Sequence, residues 1–248
     1  MALLRNGTWD AAIWTTIRRD YPTLPTAFAP GEILLDVGCH TGALCELAAR
    51  RGATVVGYEA NRENHALAAI NLARHSSVTL HLAAVWRSDL SEPTQLMFTP
   101  HADSANTGGG SVLYGSAPEH WAARPSEWHE PGPPDMVLSS HPIDTIGLDQ
   151  VLTDLGRVRF LKLDVEGAEF PILLTARRLD LVAAIGGEYH EFTEAQMSAL
   201  APSARVGQEL YRGGLLRRHL EAAGFRVALR PDRSGRGHFT AARRDGGW

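Results

Sequence analysis

Residues 34–61 read LLDVGCHTGALCELAARRGATVVGYEAN, and this stretch decides the fold class. The apolar run 33–37 and the β-branched run 54–58 have the composition of buried strands, and the amphipathic segment 42–51 joins them as a helix. A strand, a helix and a second strand in this order predict a β-α-β unit whose strands are parallel. The turn after the first strand then lies at the carboxyl edge of the sheet, where α/β proteins bind their ligands.

The same alternation continues along the chain and predicts an α/β domain built on a largely parallel sheet. Strands are expected at 33–37, 54–58, 78–85, 158–165, 181–188, 225–229 and 237–243. Helices are expected at 8–19, 42–51, 62–74, 168–178 and 212–223. Thr8 is the expected N-cap of the first helix, and Trp9, Ile13 and Ile17 share one of its faces. The last two strands are expected to form a hairpin at one end of the sheet.

Two segments stand apart from this alternation. Residues 1–30 contain the first helix and are expected to form an N-terminal helical cap on a domain of residues 31–248. Residues 99–135 are rich in Gly, Pro, Ser and His and replace a short connection between strands. Loops of this length are typically lids or linkers, and the tyrosine and two tryptophans in this one favour an inserted lid. We expect residues 103–130 to pack over the substrate.

The composition argues against several classes of protein. The 248 residues include 24 basic and 28 acidic side chains, which give a formal net charge of −4, whereas proteins that neutralise nucleic-acid phosphates are usually basic. No apolar run reaches membrane-spanning length, and the start MALLRNGTWD does not resemble a secretory signal. The two cysteines, Cys39 and Cys45, form no CxxC pair and fit a reducing compartment. We therefore expect a cytoplasmic protein that acts on a small molecule, with no nucleic-acid or membrane partner.

Two acidic residues of the first β-α-β unit predict the cofactor. Glu59 lies at the tip of the second strand, 21 residues after Gly38, where a carboxylate can hold both hydroxyls of an adenosine ribose. The turn from Gly38 to Gly42 reads GxxxG, whereas a dinucleotide site needs GxGxxG for close approach to a pyrophosphate. Asp36 suits a ligand that carries an ammonium or sulfonium group. S-adenosylmethionine carries both groups and a ribose, and is therefore the predicted cofactor.

A second motif surrounds Lys162, the only lysine of the chain. A lysine ammonium is compact and fits sites that the planar arginine fork does not. Alternation along the expected strand 158–165 and just beyond it places Lys162, Asp164 and Glu166 on one side. Charge at the carboxyl end of a central strand indicates a ligand-binding edge, because buried charge without a partner is costly. A purely structural ion pair between Lys162 and Asp164 is the alternative.

Three stretches resemble the FkbM-type family of class I S-adenosylmethionine-dependent methyltransferases. They are residues 34–61, the segment IDTIGLDQVL at 143–152, and the segment FLKLDVEGAEFPIL at 160–173, whose DVEGAE signature is the most specific. His40 departs from the family pattern, which has asparagine there. The resemblance covers roughly residues 33–190. It implies a Rossmann-like sheet of seven strands with the last one antiparallel, and O-methylation of small molecules such as sugars or natural-product scaffolds, with carboxyl groups as further acceptors.

The resemblance also implies which residues contact the cofactor. Glu59 would hold the ribose, Ala60 and Asn61 would lie against the adenine, and Ala84 and Val85 would flank it from the other side. The alternative for Ala84 and Val85 is plain core packing. The full set of expected cofactor-binding residues is Asp36, Gly38, Cys39, His40, Gly42, Glu59, Ala60, Asn61, Ala84, Val85 and Asp164.

The acceptor side of the reaction is expected one strand away from Asp164, where Glu188-Tyr189-His190 follows a strand. His190 is the predicted general base, because the ordinary histidine pKa suits proton removal near neutrality. Glu188 is its predicted partner or an acceptor contact, Asp164 is expected beside the transferred methyl group, and Lys162 is expected to tune Asp164. A solvent-exposed His190 at a strand end is the alternative.

Other readings stay open. Carboxyl or N-methylation is an alternative reaction, and a cofactor-binding module or an NAD-dependent oxidoreductase is a more distant one. The single lysine and the absence of an Asn/Asp-Pro-Pro-aromatic loop argue against nucleic-acid methyltransferases. Asp164 and Glu188 could hold Mg²⁺ through oxygens, but the metal remains unassigned. The histidines in or near the insertion, at 101, 120, 129 and 141, show no recognised ligand spacing.

Overall fold

The computed structural model describes residues 2–92, 94–101, 103–113, 139–232 and 235–244. The strands in these residues are Ile33–Val37 (β1), Thr54–Glu59 (β2), Val78–Leu82 (β3), Ala84–Trp86 (β4), Gln95–Phe98 (β5), His141–Gly147 (β6), Phe160–Leu163 (β7), Ala184–His190 (β8), Phe225–Pro231 (β9) and Arg236–Arg243 (β10). The α-helices are Asp10–Asp20 (α1), Ala43–Arg50 (α2), Arg62–Leu72 (α3), Leu148–Leu155 (α4), Glu169–Thr175 (α5), Glu194–Ala199 (α6) and Gly213–Ala222 (α7). Short 3₁₀ turns occupy Leu179–Leu181 and Pro202–Ala204.

Seven strands of the described chain form one sheet in the order β3-β2-β1-β7-β8-β10-β9. β10 is antiparallel to both of its neighbours, β8 and β9, and the other pairings are parallel. The predicted Rossmann-like sheet with an antiparallel last strand is therefore confirmed. Chain order reverses direction between β1 and β7, and such a switch point places ligands at the carboxyl ends of the central strands.

The register of the central strands sets the positions of the charged side chains. Asp36 on β1 pairs with Lys162 on β7, and Lys162 pairs in turn with Gly186 on β8. The next residue of β8, Gly187, approaches β7 so closely that an added Cβ would lie 2.1 Å from the carbonyl oxygen of Leu163. Three adjacent strands thus bring Asp36, Lys162 and the end of β8 to one edge.

Two apolar layers cover the faces of the sheet, as the alternation of side chains requires. One layer contains Leu35 and Leu161 and packs against α4, α5 and α7. The other contains Leu34 and Phe160 and packs against α2 and α3. Because both layers are closed, a polar ligand can approach the central strands only at their ends.

The expected strand 78–85 is wrong in one respect, because the structure divides it in two. β3 ends at Leu82, Ala83 donates its amide to the carbonyl of Glu59 at 3.1 Å, and the chain then turns away from the main sheet. β4 continues in a second sheet of order β4-β6-β5. β5 and β6 were not expected, because the surrounding Ser- and Pro-rich sequence obscures the alternation of buried and exposed residues along β6.

The first helix begins later than expected. Trp9 is its N-cap, and Asp10 is its first residue. The prediction of Thr8 as the N-cap is wrong, since its hydroxyl donates to the carbonyl of Arg5 at 2.9 Å and only weakly accepts the amide of Asp10 at 3.3 Å. α1 packs against α2.

Part of the expected lid is described. Thr99 and Ser111 exchange backbone hydrogen bonds of 3.0 and 2.9 Å, which fold the segment between them into a loop. This loop contacts the N-terminal helix, because the amide of Trp9 donates to the carbonyl of Ala105 at 3.0 Å. Residues 114–138, with most of the expected lid, lie outside the described residues. The division into a cap of residues 1–30 and a domain of 31–248 stays a prediction.

None of the helices in the described parts of the chain is long and apolar enough to cross a membrane.

The close approach of β8 to β7 predicts that Gly187→Ala destabilises the protein. The added methyl group would also lie 2.7 Å from the ring of Phe239, so backbone and core must both shift, at a cost of about 2–3 kcal/mol in the free energy of unfolding. Gly214→Ala is the matched control, because Gly214 lies at an exposed helix position. The nearest atom to an added Cβ there is 4.0 Å away, on the flexible side chain of Arg218. We expect Tm to fall for the first variant and to stay equal or rise slightly for the second. Equal Tm values for Gly187→Ala and the unmodified protein would contradict the close approach.

Candidate active site

A cavity of about 260 Å³ lies over the carboxyl ends of the central strands. Its walls come from the turn after β1, the ends of β2, β7 and β8, the apolar face of α1, the loop 106–112 and the start of β10. Trp9, Ile13 and Ile17, which were expected to share a helix face, all point toward this cavity. The helix therefore covers a ligand site as well as core.

The structure brings most of the predicted site residues to this one cavity. Those that line it are Asp36, Gly38, Cys39, His40, Glu59, Ala60, Ala84, Val85, Lys162, Asp164 and Glu188. Gly42, Asn61 and His190 are not among the lining residues. Gly42 is the N-cap of α2 at φ +91°, and Asn61 caps α3 by accepting the amides of Glu63 and Asn64 at 2.9 Å each.

The turn after β1 is held in a conformation that few residues adopt. Gly38 has φ +79°, and an added Cβ would lie 2.0 Å from the carbonyl oxygen of Asp164. His40 has φ +51°, which is uncommon for a residue with a side chain. The turn therefore passes directly over the end of β7, and this close contact links the two halves of the cavity.

Glu59 is buried at the base of this turn. Its Oε2 accepts the amide of His40 at 2.7 Å, and its Oε1 accepts the amide of Asn61 at 2.8 Å. Burial raises the pKa of Glu59, against the two amide hydrogen bonds that favour its ionised form. A carboxylate oxygen can accept two hydrogen bonds, and each oxygen of Glu59 accepts one from an amide. Glu59 can therefore also accept a hydrogen bond from a hydroxyl in the cavity.

Lys162 connects the two acidic strand ends. Its Nζ lies 3.2 Å from Oδ1 of Asp36 and 3.9 Å from Oδ2 of Asp164, and it donates to the carbonyls of Val37 and Gly38. Burial opposes the charge of this lysine, but the two carboxylates outweigh burial and raise its pKa above the ordinary value. Only a compact ammonium can reach all four oxygens, which accounts for lysine at this position.

The closer partner of Lys162 is Asp36, not the predicted Asp164. Asp36 is completely buried, and its second oxygen accepts the thiol proton of Cys45 at 3.2 Å. These contacts leave Asp36 poorly placed to bind a ligand ammonium directly. They make it the residue that holds Lys162 under the turn.

The far end of the cavity is rich in ionisable groups. Asp164 accepts the hydroxyl proton of Tyr21 at 2.9 Å. Burial opposes its ionisation, but Lys162, His190 and this hydrogen bond together lower its pKa. Glu188 lies one strand further, with Oε1 3.4 Å from Nε2 of His238. Burial and the charges of Asp164 and Glu166 raise the pKa of Glu188 to about 8. Two carboxyl groups at one end of the cavity thus differ in charge near neutral pH.

His190 lies behind this end among three carboxylates. Its Nδ1 is 3.3 Å from Glu169, and its Nε2 is 3.2 Å from Glu166 and 3.7 Å from Glu188. Burial opposes protonation, but Glu169 and Glu166 raise the pKa of His190 well above its ordinary value. A raised pKa favours the imidazolium, and the role of His190 as a base stays a prediction.

Glu166 departs from the expected alternation. β7 ends at Leu163, and Glu166 has φ +53°, which turns its side chain toward His190. Glu169 anchors the same turn, since it accepts the amides of Val165 and Gly167 at 3.0 Å. The DVEGAE segment is therefore a tight turn, closed by the carboxylate of Glu169, and not a continued strand.

Several residues of the cavity were missed by sequence reasoning. Tyr21 follows the first helix, and Arg236 and His238 belong to the last hairpin. Thr107 lies in a Gly-rich loop that shows no periodic pattern. None of these carries a local sequence signal, because each reaches the cavity through tertiary packing of a distant segment.

A metal centre finds no support in the described part of the chain, where no group of three or more His, Cys, Asp or Glu side chains is arranged to hold an ion. His141 contacts the carbonyl of Ala60 at 2.9 Å, and His101 accepts the amide of Asp103 at 3.0 Å. His120 and His129 lie outside the described residues. Magnesium held by Asp164 and Glu188 stays an untested alternative.

The cavity fits the predicted cofactor in shape and polarity. Glu59 offers a carboxylate for ribose hydroxyls beside the small apolar residues Ala60, Ala84 and Val85, which leave room for a flat ring. Gly38 lets the turn lie directly against the end of β7, since a side chain there would collide with the backbone of Asp164. Neighbouring strands lie about 4.8 Å apart, so the three strand spacings from Glu59 to Glu188 span roughly 14 Å. That length accommodates a nucleoside at one end and an acceptor at the other.

The sequence matches the family described as "Methyltransferase FkbM domain" over residues 36–227. No curated protein matches it significantly.

Solved structures with a similar fold include precorrin-6y C5,15-methyltransferase from Geobacter metallireducens GS-15, with 11% identity, coverage of 98% of this chain and 94% of that chain, and a TM-score of 0.45. The N-terminal domain of EvdMO1 with SAH bound has 17% identity, coverage of 93% and 81%, and a TM-score of 0.45. A SAM-dependent methyltransferase from Aquifex aeolicus has 13% identity, coverage of 92% and 88%, and a TM-score of 0.41.

The family match spans well over half of the chain and contains the turn after β1, Glu59 and the DVEGAE segment. It implies S-adenosylmethionine as the methyl donor. The chain therefore belongs to the FkbM family of methyltransferases.

Proposed function

We propose that this methyltransferase transfers a methyl group from S-adenosylmethionine to a hydroxyl of a small molecule, such as a sugar or a natural-product scaffold. The observation that carries the proposal is the position of Glu188, which lines the cavity at the end of β8, one strand from Asp164. Burial in this position raises the pKa of its carboxyl group to about 8. Biosynthesis of a secondary metabolite in the cytoplasm is the setting we propose for this reaction.

The cofactor end of the cavity is built by the turn after β1 and the tip of β2. In this proposal Glu59 holds the ribose hydroxyls, and Ala60, Ala84 and Val85 lie against the adenine. Asp36 and Lys162 keep the turn in place beneath the methionine part. S-adenosylmethionine, when bound, supplies an electrophilic methyl group on a sulfonium.

The acceptor end has to align a hydroxyl and remove its proton. Methyl transfer is an in-line displacement, and a hydroxyl is a weak nucleophile unless a base takes its proton during attack. A base works best with a pKa near the working pH, and Glu188 meets this condition. Asp164, fixed by Tyr21 and Lys162, is placed to accept a hydrogen bond from the acceptor.

The roles predicted for Glu188 and His190 are therefore exchanged in this proposal. His190 keeps its proton between Glu169 and Glu166 and lies 3.7 Å from Glu188. Its positive charge limits how far burial raises the pKa of Glu188. His190 thus acts as a positioning residue, and Glu188 receives the proton.

The charge of the acceptor end favours some acceptors over others. Asp164 and Glu166 line it as carboxylates, whereas Glu188 keeps its proton near neutral pH, so an acceptor carboxylate would meet the like charges of the first two. The same carboxylates would attract a protonated amine, and N-methylation is for this reason the second candidate. Glu188 would then deprotonate an ammonium before transfer.

The cofactor assignment predicts that Glu59→Ala weakens binding of S-adenosylhomocysteine at least tenfold, because the charged contact to the ribose is lost. Isothermal calorimetry measures this Kd directly. Glu209→Ala is the control of equal charge change, since Glu209 is exposed and pairs with a surface arginine, Arg218. An unchanged Kd for a folded Glu59→Ala protein would contradict the ribose assignment.

The base assignment predicts a pH profile. Below pH 8 Glu188 holds a proton and cannot accept another, so kcat should rise with pH around a midpoint near 8. Glu188→Gln should lose most activity at every pH. His190→Gln should keep activity at high pH but shift the midpoint upward, because Glu188 loses its positive neighbour.

The measurement is the rate of S-adenosylhomocysteine formation with the identified acceptor between pH 6 and 10 (a range set to bracket a pKa of about 8). The opposite pattern, with Glu188→Gln active and His190→Gln inactive at every pH, would return the base role to His190.

A further inference from the structure

We infer that Asp10, which precedes the family-matched region, is a positioning residue for the cofactor site: it holds Thr107 and, through Thr107, the ring of His40, whose backbone amide orients Glu59. The inference rests on the proposed function only in taking Glu59 as the ribose contact. It assigns a role to the first turn of α1 and to the loop 106–112.

Asp10 is a buried carboxylate whose negative charge is balanced by Arg5. Arg5 donates to it from its backbone amide at 3.1 Å, from Nε at 2.8 Å and from an Nη at 2.9 Å. The side chain of Asp10 has 0% of its surface exposed. Hydrogen bonds from Arg5 and Thr107 outweigh the effect of burial and lower the pKa of Asp10, so it is an acceptor only.

This charge state fixes the direction of the next hydrogen bonds. The hydroxyl of Thr107 donates its only proton to Oδ1 of Asp10 at 2.7 Å. The same hydroxyl lies 2.9 Å from Nε2 of His40 and must therefore accept a proton from that nitrogen. The neutral ring of His40 thus carries its proton on Nε2 and leaves Nδ1 as an acceptor.

The other side of the ring agrees with this tautomer. Nδ1 of His40 lies 3.3 Å from the hydroxyl of Thr41, which can donate to it. Thr41 in turn accepts the indole N–H of Trp14 on α1 at 2.9 Å. Burial lowers the pKa of His40 to about 4, so the ring is neutral at physiological pH. Both ring nitrogens are therefore anchored to groups that α1 holds.

The anchored ring matters because the backbone of His40 is strained. A residue with a side chain at φ +51° is uncommon and persists only where its surroundings impose it. In this conformation the amide of His40 donates to Oε2 of Glu59 at 2.7 Å. Loss of the ring contacts would relax the turn and release Glu59 from its position in the cavity.

A second contact holds the loop independently of the ring. Asn64 accepts an Nη proton of Arg5 at 2.7 Å and donates to the carbonyl of Thr107 at 2.9 Å. A change confined to the hydroxyl of Thr107 therefore leaves the loop attached. This makes Thr107 the position at which the positioning role can be separated from general folding.

The test compares Thr107→Val, which has the same shape without the hydroxyl, with Thr107→Ser, which retains it. Calorimetry with S-adenosylhomocysteine, well below Tm, should show a Kd about tenfold higher for Thr107→Val and close to the unmodified value for Thr107→Ser. Thr15→Val is the matched control, because the hydroxyl of Thr15 lies on the exposed side of α1 and donates to the carbonyl of Ala12 within the same helix. Thr15→Val should bind as the unmodified protein does.

The outcomes distinguish a failure of the proposed function from a failure of the positioning role. An unmodified protein that does not bind S-adenosylhomocysteine overturns the proposed function. If the unmodified protein binds and Thr107→Val binds equally well, the positioning role of Asp10 and Thr107 is wrong. If Thr107→Val does not fold, long-range ¹⁵N–¹H spectra of the unmodified protein decide instead. The signal assigned to His40 through a His40→Asn variant should show the Nε2–H tautomer at pH 7, and an Nδ1–H tautomer or an imidazolium overturns the inference.

Discussion

The ammonium of Lys162 is the interaction on which the site depends. It lies between carboxylates of two adjacent strands and contacts the backbone of the turn that crosses them. A buried ion pair contributes little net stability, but the removal of one member leaves a charge without compensation. The role of Lys162 is therefore to set geometry. Its ammonium holds the turn after β1 against the end of β7 and stabilises Asp164 in its ionised form.

The acceptor end depends on a graded set of carboxyl groups. Asp164 is close to Lys162 and stays ionised, whereas Glu188 is one strand further from that charge and binds its proton more tightly. The positive charge of His190, which lies close to three glutamates, limits the rise in the pKa of Glu188. Two carboxyl groups in unlike environments can take two roles in one site, one as a hydrogen-bond acceptor and the other as the base that receives a proton. A row of equivalent acids could not do this.

Much of this arrangement could be predicted from the sequence because it is local. The β-α-β unit, Glu59 at a strand tip and Lys162 beside Asp164 follow from strand periodicity and from the rule that ligands bind at carboxyl ends. The protonation state of His190 could not be predicted, since it depends on Glu166, whose side chain turns back at a positive φ. Tyr21 and Asp10 could not be predicted either, because their partners Asp164 and Thr107 lie 143 and 97 positions away in the sequence.

The departure of the chain from the main sheet after Leu82 also affects the tendency of the protein to associate with itself. An edge strand presents unpaired amides and carbonyls that can recruit another strand and start aggregation. β3 offers only five residues before Ala83 redirects the chain into the second sheet, so the exposed edge is short. At the opposite edge, β9 carries the exposed arginines Arg226 and Arg230 and ends at Pro231, whose ring cannot donate a hydrogen bond. Both borders of the sheet therefore discourage strand addition, which favours solubility at high concentration.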